Sequence, residues 1–151
     1  MNNFLLWGII LSLLPVSEVR GGIPVALQSG LNPFILFLVL TFFNILIVPL
    51  VFLFLDYFHE HFMKIKPYEK LFNIYLNRVR KKSEHKIGYL GYFALYLFVA
   101  VPFPTTGAYT GTLIAWFFKL NRKISFIVIS LGVLTSGLIV TLISLGLFKI
   151  F

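Results

Sequence analysis

Residues 33–55 and 124–148 form two long apolar runs without a single Asp, Glu, Lys or Arg. At about 1.5 Å per residue, each crosses a hydrocarbon core of about 30 Å as one helix. A bilayer offers no water to unpaired backbone groups, so such runs must satisfy their hydrogen bonds internally, and unbroken apolar runs of this length do so as helices. Asn32 before Pro33 is a helix start, an Asn cap with Pro at the first helical position. The basic pair Arg122 and Lys123 marks the start of the second run. Hydrophobic residues make up 59% of the 151 and charged residues 12%. A soluble domain is about a quarter charged, which excludes a cytosolic globular protein. The net charge of +8 lies in short stretches between apolar segments, which excludes a soluble nucleic-acid binder. The expected surroundings are a lipid bilayer.

Two further apolar stretches, 4–14 and 89–101, are too short to cross and run into Pro/Gly-rich breaks. The first break reads PVSEVRGGIP at residues 15–24 and is followed by a short arm to about Ser29. The second reads VPFPTTGAYTG at 101–111 and is followed by an arm to Phe118. Pro removes a helical hydrogen bond and Gly permits turns, so each stretch reads as helix, break, helix. The positive-inside rule chooses between kinked spans and re-entrant hairpins. Lys64, Lys66, Lys70, Arg78, Arg80, Lys81, Lys82 and Lys86 lie in one loop, Lys119, Arg122 and Lys123 in the next; these are eleven of the thirteen basic residues. Both loops belong on the cytoplasmic side only if the segment between them enters and returns on one face.

The fold class expected is therefore an all-α integral membrane protein. An inverted repeat of re-entrant helical hairpin plus transmembrane helix is joined by a basic amphipathic linker helix. Repeat one covers 1–55, the cytoplasmic linker 56–87 and repeat two 88–151, as one membrane domain. The expected location is the cytoplasmic (inner) membrane, multi-pass, with both termini outside. The first segment lacks a basic n-region and a small-x-small site, so no cleaved signal is expected. In the linker, Leu71, Phe72, Tyr75, Leu76 and Val79 recur at helical spacing opposite a basic face. Arg78, Arg80, Lys81 and Lys82 are the candidates for contact with anionic lipid; a plain solvated connector explains the same pattern.

Glu18 and Arg20 are the only charged residues inside an apolar segment, where ionisable groups mark functional sites. Gly21 and Gly22 admit close backbone approach, and Pro24 is expected to open a new helix beside Arg20. A helix N-terminus carries free N–H donors and partial positive charge, so an anion site follows. In the second break, Pro102 and Pro104 end the first arm and Thr105 or Thr106 can cap the next. Gly107, Tyr109, Thr110 and Gly111 can expose donors. Arg20 suits a phosphate or carboxylate, and a protonatable Glu18 can couple ion movement to binding. The alternative is an ion pair between Glu18 and Arg20 that only holds the hairpin. Asn44 and Pro49 are read as a kink or an interhelical hydrogen bond, Asp56 as interfacial, and Trp7 and Trp116 as interface anchors. His59, Glu60 and His61 lack a third ligand and are read as linker surface, so no metal is expected. No cofactor is expected either. Without GxSxG, HExxH or Walker A, and with Ser17 lacking a base, the chain reads as a non-enzyme.

The strings at 15–24 and 101–111 together resemble the signature motifs of the small multi-drug export protein family, and length and order match over the whole chain. The arrangement is also similar to the DedA superfamily, which implies two opposed re-entrant hairpins and flipping of polyprenyl phosphates or phospholipids with H+ or Na+ coupling. There an acidic residue of the first hairpin matches Glu18. The second hairpin departs from that pattern by lacking Arg, which leaves Arg20 as the basic candidate. The function expected is a small secondary transporter of an anionic or lipid-linked phosphate substrate. The alternatives are a proton-coupled exporter of organic cations through Glu18, and a scaffold that binds anionic lipid through the linker. Small size makes a homodimer plausible.

Overall fold

A computed structural model describes residues 3–62, 89–103 and 106–148. The proposed linker helix, with Arg78, Arg80, Lys81 and Lys82, lies outside the described residues, as do Pro104 and Thr105 and the side chains of His59, Glu60 and His61. Among the described residues the regular structure is helical throughout. Helices α1 (Asn3–Leu13) and α2 (Glu18–Leu27) precede the long α3 (Pro33–Phe62); α4 (Tyr89–Ala100) and α5 (Ala108–Phe117) precede the long α6 (Arg122–Phe148). The order short, short, long thus occurs twice.

The short helices have 10 to 12 residues, about 15–18 Å each, half of what a bilayer crossing needs. Pro33–Phe58 and Arg122–Gly146 are long and apolar enough to cross a membrane. Both long helices start on an Asn: Asn32 Oδ1 accepts the Phe34 amide at 2.9 Å, and Asn121 Oδ1 accepts the Lys123 amide at 3.0 Å.

Two boundaries differ from the sequence reading. Helix α3 continues beyond residue 55 through Asp56 to Phe62, because its end is tied to the second half of the chain through Asp56. Helix α2 begins at Glu18 rather than at Pro24, which sits inside it. Gly21 and Gly22 stay helical because the helix packs closely there. A Cβ on Gly22 would lie 2.6 Å from Gly8 O and 3.0 Å from Ser12 Cβ, and one on Gly8 would lie 2.6 Å from Ala26 Cβ. This pairing folds α2 back along α1 as a tight antiparallel hairpin.

The two halves interlock. Helix α1 packs on α3 and α4 on α6, but α2 also packs on α6 and α5 on α3, while α3 and α6 touch each other. The shared core runs through Val19, Ile23, Leu40, Val48, Val99, Ala108, Ile129 and Val133. Apolar side chains also cover the outside: Trp7, Phe34, Leu50, Leu53, Phe93 and Leu142 are all more than half exposed. An apolar exterior of this extent suits a lipid solvent.

Candidate functional site

Both charged side chains of the first hairpin end on the broken backbone of the second. Glu18, only 4% exposed, opens α2. Its Oε2 accepts the amide of Ala108 at 3.1 Å and its Oε1 the amide of Tyr109 at 3.2 Å. These are the first two amides of α5, which have no partner within their own helix. The carboxylate therefore caps α5 from 90 residues away, at the positive end of that helix. Gly107 leaves room for it, since a Cβ there would lie 2.5 Å from Glu18 Cδ. Glu18 itself has φ 48°, a left-handed conformation that few non-glycine residues adopt.

Arg20 takes the opposite end of the same break. Its Nη1 donates to Phe103 O, its Nη2 to Val101 O at 3.3 Å, and its Nε reaches Ser136 Oγ on α6 at 3.5 Å. Val101 and Phe103 follow the last residue of α4, where carbonyls lose their helical partners and the dipole is negative. Thr106 Oγ1 donates to the same two carbonyls at 3.0 Å each. The acid thus meets a helix start and the base a helix end. Among the described residues Glu18 and Arg20 form no ion pair with each other, in contrast to Arg122 and Asp56. That replaces the simple ion-pair alternative: each charge is held by backbone.

The second hairpin returns the contact. Tyr109 Oη donates at 2.6 Å to the carbonyl of Leu13, the last residue of α1. Ser17 Oγ donates to Leu11 O at 2.5 Å, and Asn44 Nδ2, from α3, to Ser12 O at 2.8 Å. Each hairpin's second arm therefore sends a side chain to the end of the other hairpin's first arm.

The remaining candidates divide. Pro102 lies half-buried in the second break. Gly21, Gly22 and Pro24 lie within α2 rather than in an open turn, and Gly22 serves its close packing on α1. Thr106 does not cap α5: Gly107 holds the N-cap position without a side-chain bond, and Glu18 fills that role. The α5 amides expected to face an outside anion are thus bonded to the protein's own carboxylate. Thr110 lines, with Tyr109, Leu13, Ile47, Val51 and Phe54, an apolar cavity of about 600 Å³ between α3 and α5 that opens onto the apolar exterior, where Phe54 is exposed. Ser136 was not singled out in the sequence, where a serine in a helix has no signal. Nor was the cluster at the far end of α3. There Asp56 accepts Arg122 Nη1 at 2.6 Å and Nη2 at 2.8 Å, and the Trp116 indole N–H at 3.0 Å. Its members read separately in the sequence, Asp56 and Trp116 as interfacial residues and Arg122 as the start of the second run, and nothing there joins them.

The model of the family described as "Putative small multi-drug export protein" matches residues 18–139. The chain belongs to this family. The match begins on Glu18, inside the first break, and covers all of the second, so all the contacts between Glu18 or Arg20 and the second hairpin fall within it. Membership in a membrane export family agrees with the two apolar helices of crossing length, and the chain is a membrane protein. No match to it was found among curated proteins or among solved structures.

Proposed function

We propose that this protein is a small secondary transporter, not an enzyme, in which the two short-helix pairs act as opposed re-entrant hairpins of an inverted repeat in the cytoplasmic membrane. The observation that carries this reading is the bond from Glu18 to the Ala108 and Tyr109 amides. A carboxylate holds two amides as an anion; once neutralised by a coupling ion, H+ or Na+, it holds them less well, and α5 is free to shift. Coupling of ion and substrate then needs no further machinery, because Tyr109 also forms part of the cavity wall. Broken helices that meet near the midplane are a recurrent plan for such transporters.

The substrate is amphipathic. Its apolar part fits the cavity, whose volume of about 600 Å³ lies in the range of small-molecule sites. Its anionic part, as in the lipid-linked phosphate that the DedA resemblance implies, competes with Val101 and Phe103 for the Arg20 fork. A second reading, export of lipophilic cations, gains from the absence of a direct ion pair between Glu18 and Arg20 and from the family's description.

Proteoliposomes separate the two. With a fluorescent lipid phosphate and, in parallel, ethidium, the parent protein is expected to move the lipid phosphate under an imposed ion gradient, and Glu18→Gln and Arg20→Gln to lose that movement. Ethidium movement that depends on Glu18 but not on Arg20 selects the cation reading. Neither probe moving with correctly inserted parent, or both variants transporting like the parent, overturns the site.

A further inference from the structure

We infer that the C-terminal end of α1 is a binding site for one dehydrated monovalent cation of the size of sodium, with Asn44 as its side-chain ligand. Asn44 is fully buried in the middle of α3. Its Nδ2 donates to Ser12 O, which fixes the amide orientation, since the flipped amide would set oxygen against oxygen. Its Oδ1 then remains buried without a hydrogen-bond partner among the described residues. A buried acceptor without a partner is costly and calls for an occupant that donates to it or carries positive charge.

The surroundings select that occupant. The Ser12 and Leu13 carbonyls lie past the last intrahelical bonds of α1, and each accepts one side-chain donor, from Asn44 and from Tyr109, keeping a second lone pair. The negative end of the α1 dipole points at the same place. Glu18 is linked to it through Tyr109, whose amide bonds Glu18 and whose hydroxyl bonds Leu13 O. Arg20 is directed to the other break, at Val101 and Phe103. Neutral oxygens at a helix C-terminus form a donor set for a hard monovalent ion; a calcium site takes 6–8 oxygens with several carboxylates. Unwound carbonyls and half-helix C-termini are the groups that hold Na+ in broken-helix transporters.

The role of this cation as the coupling ion rests on the transport reading; its binding does not. The purified full chain in detergent is heated while the fluorescence of Trp7 and Trp116 is followed, with NaCl replaced stepwise by choline chloride at constant ionic strength and KCl run in parallel. A saturable rise in Tm with Na+, absent with choline and weaker with K+, is expected from binding to the folded state. Asn44→Val should abolish it. Asn44→Asp keeps the oxygen, exchanges the donor to Ser12 O for a second oxygen that only a cation can bridge, and should move the half-saturating Na+ concentration down by roughly tenfold, equivalent to about 1.4 kcal/mol. Equal stabilisation by all three salts, or an unchanged Na+ response in Asn44→Val, overturns the site. Where Asn44→Val does not fold, an unchanged midpoint in Asn44→Asp overturns it. Na+ binding without transport of either probe leaves this site standing and removes the transport reading instead; transport without Na+ binding does the reverse.

Discussion

Gly107 is the residue on which the contact between the hairpins turns. Its missing side chain admits the Glu18 carboxylate, and a Cβ would lie 2.5 Å from Glu18 Cδ with its own backbone on the other side. Gly107→Ala should therefore push the carboxylate off the Ala108 and Tyr109 amides without touching either charge. Hydrogen bonds to charged groups contribute about 1.5–3 kcal/mol each, so a loss of roughly 2–4 kcal/mol is expected, read as a lower Tm. Glu18→Ala should cost about as much, and the double variant little more than either alone, because both remove the same contact. Strictly additive losses would show that Gly107 serves only its own turn. At this scale Glu18 and Arg20 were legible in the sequence, since charge in an apolar run stands out. Their partners were not, because apart from Ser136 they are backbone amides and carbonyls 81 to 91 residues away, and backbone groups leave no residue-type signal.

The elements follow from Pro and Gly positions, with one instructive failure. Pro24 has the look of a helix start, yet α2 runs through it from Glu18. Close packing of α2 on α1 through Gly8 and Gly22 holds the chain helical where local propensity favours a break. That packing yields a direct comparison. A Cβ at Gly22 meets Gly8 O at 2.6 Å, which is backbone and cannot swing away, whereas a Cβ at Gly146 meets nothing within 4 Å. Gly22→Ala should destabilise by about 1–3 kcal/mol through overpacking. Gly146→Ala should be neutral or gain up to about 1 kcal/mol from helix propensity. Urea or thermal unfolding of the two variants side by side checks this, and equal effects would deny the close approach of α1 and α2.

For the whole molecule, the repeated order of elements was readable from hydropathy and the Pro/Gly breaks, and the interlocking of the halves was not. Exchange of α2 and α5 between the long helices depends on which broken end lies opposite which charge, and that is settled only in three dimensions. The orientation in the bilayer is the remaining physical consequence. If the pairs are re-entrant, the turn at Ser29 and the turn at Asn121 lie on opposite faces, because α3 alone crosses fully between them and the α4–α5 pair returns to its starting side. The charge at the α5–α6 turn, with Lys119, Arg122 and Lys123, then lies on the same side as Ser83 in the linker, as the positive-inside rule requires. The chain has no Cys, so single cysteines at Ser29, Ser83 and Asn121 can be mapped with a membrane-impermeant maleimide in an otherwise thiol-free protein. Labelling of Ser83 and Asn121 from the cytoplasm and of Ser29 from outside is the expected outcome. Labelling of Ser83 and Asn121 from opposite faces would make α4 and α5 together one broken span. The two halves would then share one orientation, and an alternating-access mechanism based on their inversion would lose its symmetry.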